Sequence, residues 1–255
     1  MTRKQNAPPC PHCGGMDVHK HGKAKSGRKR YKCCYCGQTF CLRTKTTIYR
    51  SKLKDREWKQ AINLHCLRGG VSGRDIARFL GKNHKTGQRI NRLLRERQSL
   101  MPIKTLVREV EVDETTTSSK WIIGMLSRQQ KKLVLQLIPN RTESTLLPTV
   151  RKHTHKYALV ISDEWSGYRN LSITRNHLTV CHQREFVSRY HPDIHTNTVE
   201  GAWGLIKPLI RQIYRGLPKE TIKEYLPEFM FRYNVRDYKT RCQVLQSYLN
   251  HKSHT

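Results

Sequence analysis

YALVISDEW, residues 157–165, is a short apolar run that closes on an acid. Apolar residues at successive rather than alternate positions mark a strand buried on both faces, with Asp163 at its C-terminal end. Upstream, VREVEVDET (107–115) alternates valine with charge and reaches Asp113. WIIGMLSRQQKKLVLQLIPN (121–140) reads as two strands around a polar turn. Three strands in succession make a meander. STLLPTVRKHT then reads as a helix, with Pro148 an irregularity at which it can split. SGYRNL is a turn into a short helix, and HLTVCH (177–182) is another strand. A long helix is predicted over 195–213 despite Pro208, and a last one over 219–234. The order βββ-α-β-α-β-α-α predicts an α/β fold, a mixed sheet with flanking helices.

The long helix opens with HTNTVEGAWGLIK, residues 195–207. At about 100° per residue, Asn197, Glu200 and Lys207 fall on one face. An amide oxygen, a carboxylate and a cation on one face suit a metal ion and a phosphate. The same spacing also describes an ordinary solvated helix face. Thr196 and Asn197 serve equally well as helix caps.

The chain has 255 residues, 49 Lys+Arg against 19 Asp+Glu, and a formal charge of +30. Such an excess opposes compaction and favours a polyanionic partner. Residues 1–100 hold 25 Lys+Arg and 5 Asp+Glu, a net +20, which leaves +10 for the remainder. The asymmetry predicts a binding region followed by a different one. No apolar run is long enough for a membrane span, and MTRKQNAPPCPHCGG has no secretory apolar segment, so a cytoplasmic, nucleoid-associated location is expected. In that reducing compartment the nine cysteines are expected as metal ligands and buried thiols.

Cys10-x2-Cys13 and Cys33-x2-Cys36, nineteen residues apart, have the spacing of two knuckles around one tetrahedral Zn2+. The glycine after each second cysteine suits the knuckle turn. Cys34 is an alternative ligand that breaks the spacing, and His12 is expected to be a bystander. Cys41, Cys66, Cys181 and Cys242 are expected as small buried hydrophobes. The intervening GKAKSGRKRYKC reads as a hairpin whose basic tip, with Lys29 and Arg30, suits phosphate. Residues 44–54 read as a linker, and Asp55 as the cap of a helix ending at Gly69-Gly70. In VSGRDIARFLGKNHKTGQRINRLLRERQ, Ser72 caps a short helix and Gly81 turns the chain. A second helix begins near His84, with small Ala77 at the crossing. This helix-turn-helix exposes His84, Lys85, Arg89 and Arg92 toward phosphates and base edges; a plain helical hairpin with solvated charges is the alternative.

The pieces CPHCGG with RYKCCYCGQTF, VEVDET, ISDEWSGY, HTNTVEGAWGLIK and FMFRYNVR stand in order over residues 10–236. Together they resemble the DDE transposases of bacterial insertion sequences that carry a zinc ribbon, a helix-turn-helix and a ribonuclease-H-like catalytic domain. The resemblance implies a zinc ribbon over 1–45, a helix-turn-helix domain over 46–102 and a catalytic domain over 103–255. In a ribonuclease-H-like sheet the first and fourth strands are central neighbours, which brings Asp113 beside Asp163; the helix after the last strand then delivers Glu200. The resemblance makes these three the ligands of Mg2+ or Mn2+ and Lys207 a phosphate contact, with Asn197 a further candidate ligand. Glu111 and Glu114 are expected to point to the other face, and Glu164 away from Asp163. The glycine-rich insert common after VEVDET in this family is here only TTTSSK. The implied activity is binding of duplex DNA at inverted repeats, strand cleavage and strand transfer by a homodimer or larger assembly. The alternative is an inert DNA-binding regulator derived from such an enzyme.

Overall fold

The structure is a computed structural model that describes residues 7–180 and 194–250. Cys181 and the end of the strand expected over 177–182 lie outside the described residues. The chain divides into two compact units, residues 1–55 with 246–255, and residues 56–245.

In the first unit β1 (Val18–Lys23), β2 (Lys29–Cys33) and β3 (Thr39–Phe40) form an antiparallel meander. Its core is small: Cys10, Val18, Tyr31, Cys33 and Phe40, with the Tyr31 and Phe40 rings stacked at 5.6 Å. So few apolar groups cannot hold a segment of this size folded without a staple. The stretch 44–54 is not a loose linker. Ile48 and Leu53 are buried, and Arg43, buried itself, donates to the Leu53 carbonyl at 2.9 Å and to Asp55 Oδ1. Asp55, expected as a cap, is the first residue of α1 (Asp55–His65), and its carboxylate is taken by Arg43.

In the second unit α1 is followed by α2 (Gly73–Phe79) and α3 (His84–Gln98). Ser72 Oγ accepts from Asp75 N at 3.2 Å and Asn83 Oδ1 from Thr86 N at 2.8 Å, so each helix has a side-chain N-cap. Gly81 turns the chain at φ +61°. The crossing of α2 on α3 is closer than Ala77 alone implies. A Cβ on Gly87 would stand 2.0 Å from the Gly73 carbonyl oxygen and 2.7 Å from Ala77 Cβ. Beneath the crossing, His65 donates from Nδ1 to Asn91 Oδ1 at 2.6 Å and receives Gln98 Nε2 at 3.1 Å. Burial pushes the His65 imidazole down to about 4, which agrees with this neutral tautomer.

The sheet contains β4 (Glu109–Thr117), β5 (Lys120–Ser127), β6 (Lys132–Ile138), β7 (Leu159–Asp163) and β8 (Asn176–Val180), in the order β6-β5-β4-β7-β8. Only β5 runs against the rest, since β4 pairs β7 in parallel and β7 pairs β8 in parallel. Strict alternation along the strands gives two cores. Val110, Val112, Ile123 and Met125 face α4 (Glu143–His153). Ile122, Leu126, Leu133 and Leu135 face α5 (Asn197–Pro208) and α6 (Ile222–Asn234). Pro148 does not split α4, which runs unbroken through it. The long helix expected over 195–213 ends at Pro208 and continues as a π-helical turn, Leu209–Ile213. The short helix expected after β7 is two 3-10 turns, Ser166–Tyr168 and Leu171–Ile173. A further helix, α7 (Tyr238–Asn250), was not expected from the sequence. Among the described residues, no helix is long and apolar enough to cross a membrane.

A glycine inside a helix ordinarily costs up to about 1 kcal/mol relative to alanine. At Gly87 the sign reverses, because backbone stands where the methyl would go. Gly87→Ala is expected to lower stability by about 1–3 kcal/mol, read as a fall in the denaturant midpoint. An unchanged or raised midpoint would refute the close crossing.

Candidate active site and metal centre

The pairing of β4 with β7 holds a constant offset of fifty residues, Val110 with Val160 and Glu111 with Ile161. Continued past the last pair, that register sets Asp113 opposite Asp163. Both residues are half-buried, Asp113 midway along β4 and Asp163 at the C-terminal end of the neighbouring β7. Asp163 Oδ1 accepts from Trp165 N at 3.1 Å.

Glu200 arrives on the first turn of α5. Its Oε1 accepts from Thr196 Oγ1 at 2.8 Å, which holds the acid at the positive end of the helix dipole. The helix is fixed over the sheet by Trp203. The Trp203 ring lies where a side chain of residue 124 would be: a Cβ on Gly124 would meet it at 2.6 Å. Gly124 is the β5 partner of Asp113, and Trp203 Nε1 donates to Asp113 Oδ2 at 2.8 Å. One residue thus seats the helix and orients the first acid. Burial, then the neighbouring charges of Asp163 and Glu200, raise the Asp113 carboxyl to about 6, against the pull of the Trp203 and Glu114 N–H donors.

Asp163 and Glu200 therefore lie near enough for their charges to act on Asp113. The oxygens of the three acids do not form a set within ligand reach of one another; among the described residues that holds only for the four cysteines. An all-oxygen donor set with mutual repulsion is the chemistry that a hard divalent cation relieves. Asp113, Asp163 and Glu200 fit Mg2+ or Mn2+ on that ground. Lys207 is exposed, nearly two turns beyond Glu200 on the same face. Asn197 lines a neighbouring cleft of about 910 Å3 with Gly201, Leu205 and Arg236, a wall on which Glu200 does not appear.

The expectation for Glu111 needs correction. Two residues from Asp113 on a strand means the same face, and Glu111 indeed faces α5. It is fully buried, receives Val199 N at 2.8 Å and Thr198 Oγ1 at 2.7 Å, and pairs with Arg128. It anchors the start of α5 from below. Glu114 does point the other way, where it receives the Tyr168 hydroxyl and lies 4.0 Å from Arg141. Burial, then Asp163 and Asp113, push its carboxyl up to about 8, with Arg141 pulling it down. Glu164 is exposed. The sequence gives no sign of the roles of Gly124 and Tyr168. Trp203 alone carried a signal, three residues past Glu200 and so one turn along the same helix.

In the ribbon Cys10 Sγ lies 3.6 Å from Cys36 Sγ, and Cys13 Sγ 3.6 Å from Cys33 Sγ; all four sulfurs fall within 4.8 Å. Sulfurs on a tetrahedron of about 2.3 Å Zn–S bonds stand about 3.8 Å apart, so the four thiols fit zinc. Gly14 and Gly37 take the left-handed turns after each knuckle, at φ +78° and +69°. Although burial pushes the Cys10 thiol up, the backbone amides of Cys13 and His12 outweigh it and bring it down to about 7, which favours the thiolate ligand. Cys34 stands apart, exposed, 3.4 Å from His19 Nδ1. Cys66 is buried as expected, while Cys41 and Cys242 are only partly so, Cys242 because it lies beside Tyr238 on the outer helix α7. Lys29 is exposed at the hairpin, and Arg30 is half-buried and donates to Thr39 Oγ1 at 3.1 Å. Lys85, Arg89 and Arg92 stand exposed along α3, Arg92 paired with Glu96 at 3.1 Å.

A five-stranded sheet with β5 alone reversed, Asp113 midway along β4 and Asp163 at the end of the parallel neighbour β7, is that of a ribonuclease-H-like α/β protein. Its sequence narrows the class: the chain belongs to the ISXO2-like transposase domain family, which matches residues 94–234, more than half of its length. An uncharacterised transposase-like protein of Haemophilus influenzae is 25% identical over 116 residues, 45% of this chain and 91% of that protein. The catalytic core domain of BIV integrase aligns over 58% of this chain and 86% of its own, at 15% identity and a TM-score of 0.29, too low a score to argue from.

Two predictions test this geometry. The unfolded Glu114 titrates near 4.5 and the folded one near 8, so the folded state holds the extra proton between those values. Stability from this group therefore falls as pH rises from about 4.5 to 8. Glu114→Gln removes the dependence, and its stability relative to the parent is expected to gain on the order of 2 kcal/mol between pH 5 and 8, followed by thermal unfolding. A difference that stays flat would mean an ionised Glu114. Cys10→Ser is expected to release zinc and unfold the ribbon, measured by bound-metal analysis and amide exchange; full retention of zinc would refute the four-thiolate site.

Proposed function

We propose that this transposase-family chain binds the terminal inverted repeats of an insertion sequence and catalyses divalent-metal-dependent strand cleavage and strand transfer. The observation that carries the reading is the register that sets Asp113 opposite Asp163 beneath a helix bearing Glu200. A divalent ion held by these three would activate an attacking water or 3′-hydroxyl and stabilise the leaving oxygen at phosphorus. The protein's own groups do the positioning. Trp203 keeps the Asp113 Oδ2 lone pair directed toward α5, and Thr196 keeps Glu200 at the helix start. Lys207 contacts a phosphate near the scissile bond. The high positive charge draws duplex DNA to the protein and makes the affinity steeply salt-dependent. The zinc ribbon over 1–45 and the helix-turn-helix over 46–102 recognise the element's ends, and the domain over 103–255 does the chemistry. Lys29 and Arg30 contact phosphate, and Lys85, Arg89 and Arg92 read the groove. Because two ends must be brought together for transfer, the working form is a homodimer or larger on DNA.

Asp163→Asn and Asp113→Asn are each expected to abolish strand cleavage in Mg2+ while leaving duplex binding intact, followed on end-labelled DNA carrying the element's termini. A variant that still cuts would remove these acids from the site.

A further inference from the structure

Lys85 and Arg89, on the exposed face of α3, line a cleft of about 770 Å3 whose other wall is Gln212 and Arg215, just beyond α5. Arg74 of α2 lines it as well, and buried Arg95 within it stacks on the Tyr225 ring at 3.9 Å. Two acids, Asp75 and Glu224, also line the cleft. Asp75 pairs with Arg78, Glu96 with Arg92, and Glu228 with Arg232 and Arg95, which leaves Glu224 as the one acid on the cleft wall outside these pairs. Arg74, Lys85, Arg89 and Arg215 pair with no carboxylate among the described residues. Four cations against the single acid Glu224 leave the concavity net positive, which favours an anion between them.

Arg215 adds a second, independent observation. Its backbone is left-handed, φ +53°, immediately before Gly216 at φ +86°. Glycine or asparagine would hold that backbone at less cost than arginine. The turn is closed by Gly216 N on the Ile210 carbonyl at 2.9 Å, and among the described residues no carboxylate pairs with the Arg215 side chain, which leaves it available to an anion.

We infer that this cleft holds the sugar-phosphate backbone of the duplex that α3 reads, with Arg215 and Gln212 supplying phosphate contacts from the sheet-bearing body. The inference rests on the reading of α3 as the DNA-recognition helix. A helix in a major groove about 12 Å wide has a phosphate strand on either flank. The cleft lies along one flank of α3, between Lys85 and Arg89 on that helix and Gln212 and Arg215 opposite. Arg95, paired with Glu228 of α6, ties α3 to the same body that carries Arg215. Phosphate contacts from both sides of the cleft then fix the register of the duplex against the acids.

The test uses the full chain and duplexes enriched by it from a random-sequence library, with affinity measured against salt. Arg215→Asn keeps the left-handed backbone and removes the charge. It is expected to weaken binding several-fold, to lower the slope of log affinity against log salt by about one, and to leave the enriched sequence unchanged. Arg215→Lys is expected to restore the slope, and Arg89→Ala to change the enriched sequence. If Arg215→Asn keeps the parent's slope while Arg89→Ala alters binding, the cleft inference falls and the reading of α3 stands. If the parent enriches no duplex, or neither substitution alters binding, both fall.

Discussion

The seating of Trp203 over Gly124 governs the geometry of the candidate site. A side chain at position 124 would hold α5 off the sheet, and any side chain smaller than tryptophan at 203 would leave Asp113 Oδ2 without its donor. The contact is apolar on its broad face and polar at one atom, so burial drives it and a single hydrogen bond aims it. From it follow the height of Glu200 above the strand ends and the exclusion of water that raises the Asp113 carboxyl. Buried Glu111 works beneath the same helix, accepting from Val199 N where α5 has unpaired amides. Pinning α5 at two points holds Glu200 on the face of the sheet that carries Asp113, and an all-oxygen set of this kind suits a divalent cation.

A second buried charge joins the helix-turn-helix to the sheet. Glu228 of α6 is fully buried, binds Arg232 at 2.6 Å, receives the Tyr214 hydroxyl and lies 3.9 Å from Arg95 of α3. Arg232 continues to the His65 carbonyl at 2.6 Å. Burial opposes the charge on Glu228, but Arg232 foremost, with the Tyr214 hydroxyl and Arg95, outweighs it and holds the carboxyl below its ordinary value. Replacing such a cluster by apolar groups often costs nothing in stability, so its contribution is orientation. It keeps α3 and the sheet in one unit, residues 56–245.

Much of this was legible because it depends on local pattern. Zinc spacing is a property of a few residues and of metal geometry, and the sulfurs lie where the spacing put them. The helix caps Ser72 and Asn83 and the turn at Gly81 follow from one-residue chemistry. The strand order was legible through resemblance, and the fifty-residue register then made Asp113 and Asp163 neighbours. Less was legible where neighbours come from far along the chain. Glu111 was set on the wrong face by an error of parity. The role of Gly87 is invisible until α2 lies on it, since helix propensity alone argues against a glycine there. Residues 44–54 carry too few apolar residues to announce a core, yet Ile48 and Leu53 are buried beside the guanidinium of Arg43.

By itself the sequence determined the zinc knuckles, the basic helical hairpin, the alternation of the strands and the three acids, because periodicity, capping and ligand spacing act within a few residues. Tertiary structure alone decided that Gly124 must be small, that Glu114 and Glu111 take opposite faces, and that Asn197 lines a different cleft from Glu200. It also decided that Arg215 faces α3 across a charged cleft. Each of these depends on which side chain occupies a given few ångströms of space, and that is fixed only when elements distant in the chain are packed together.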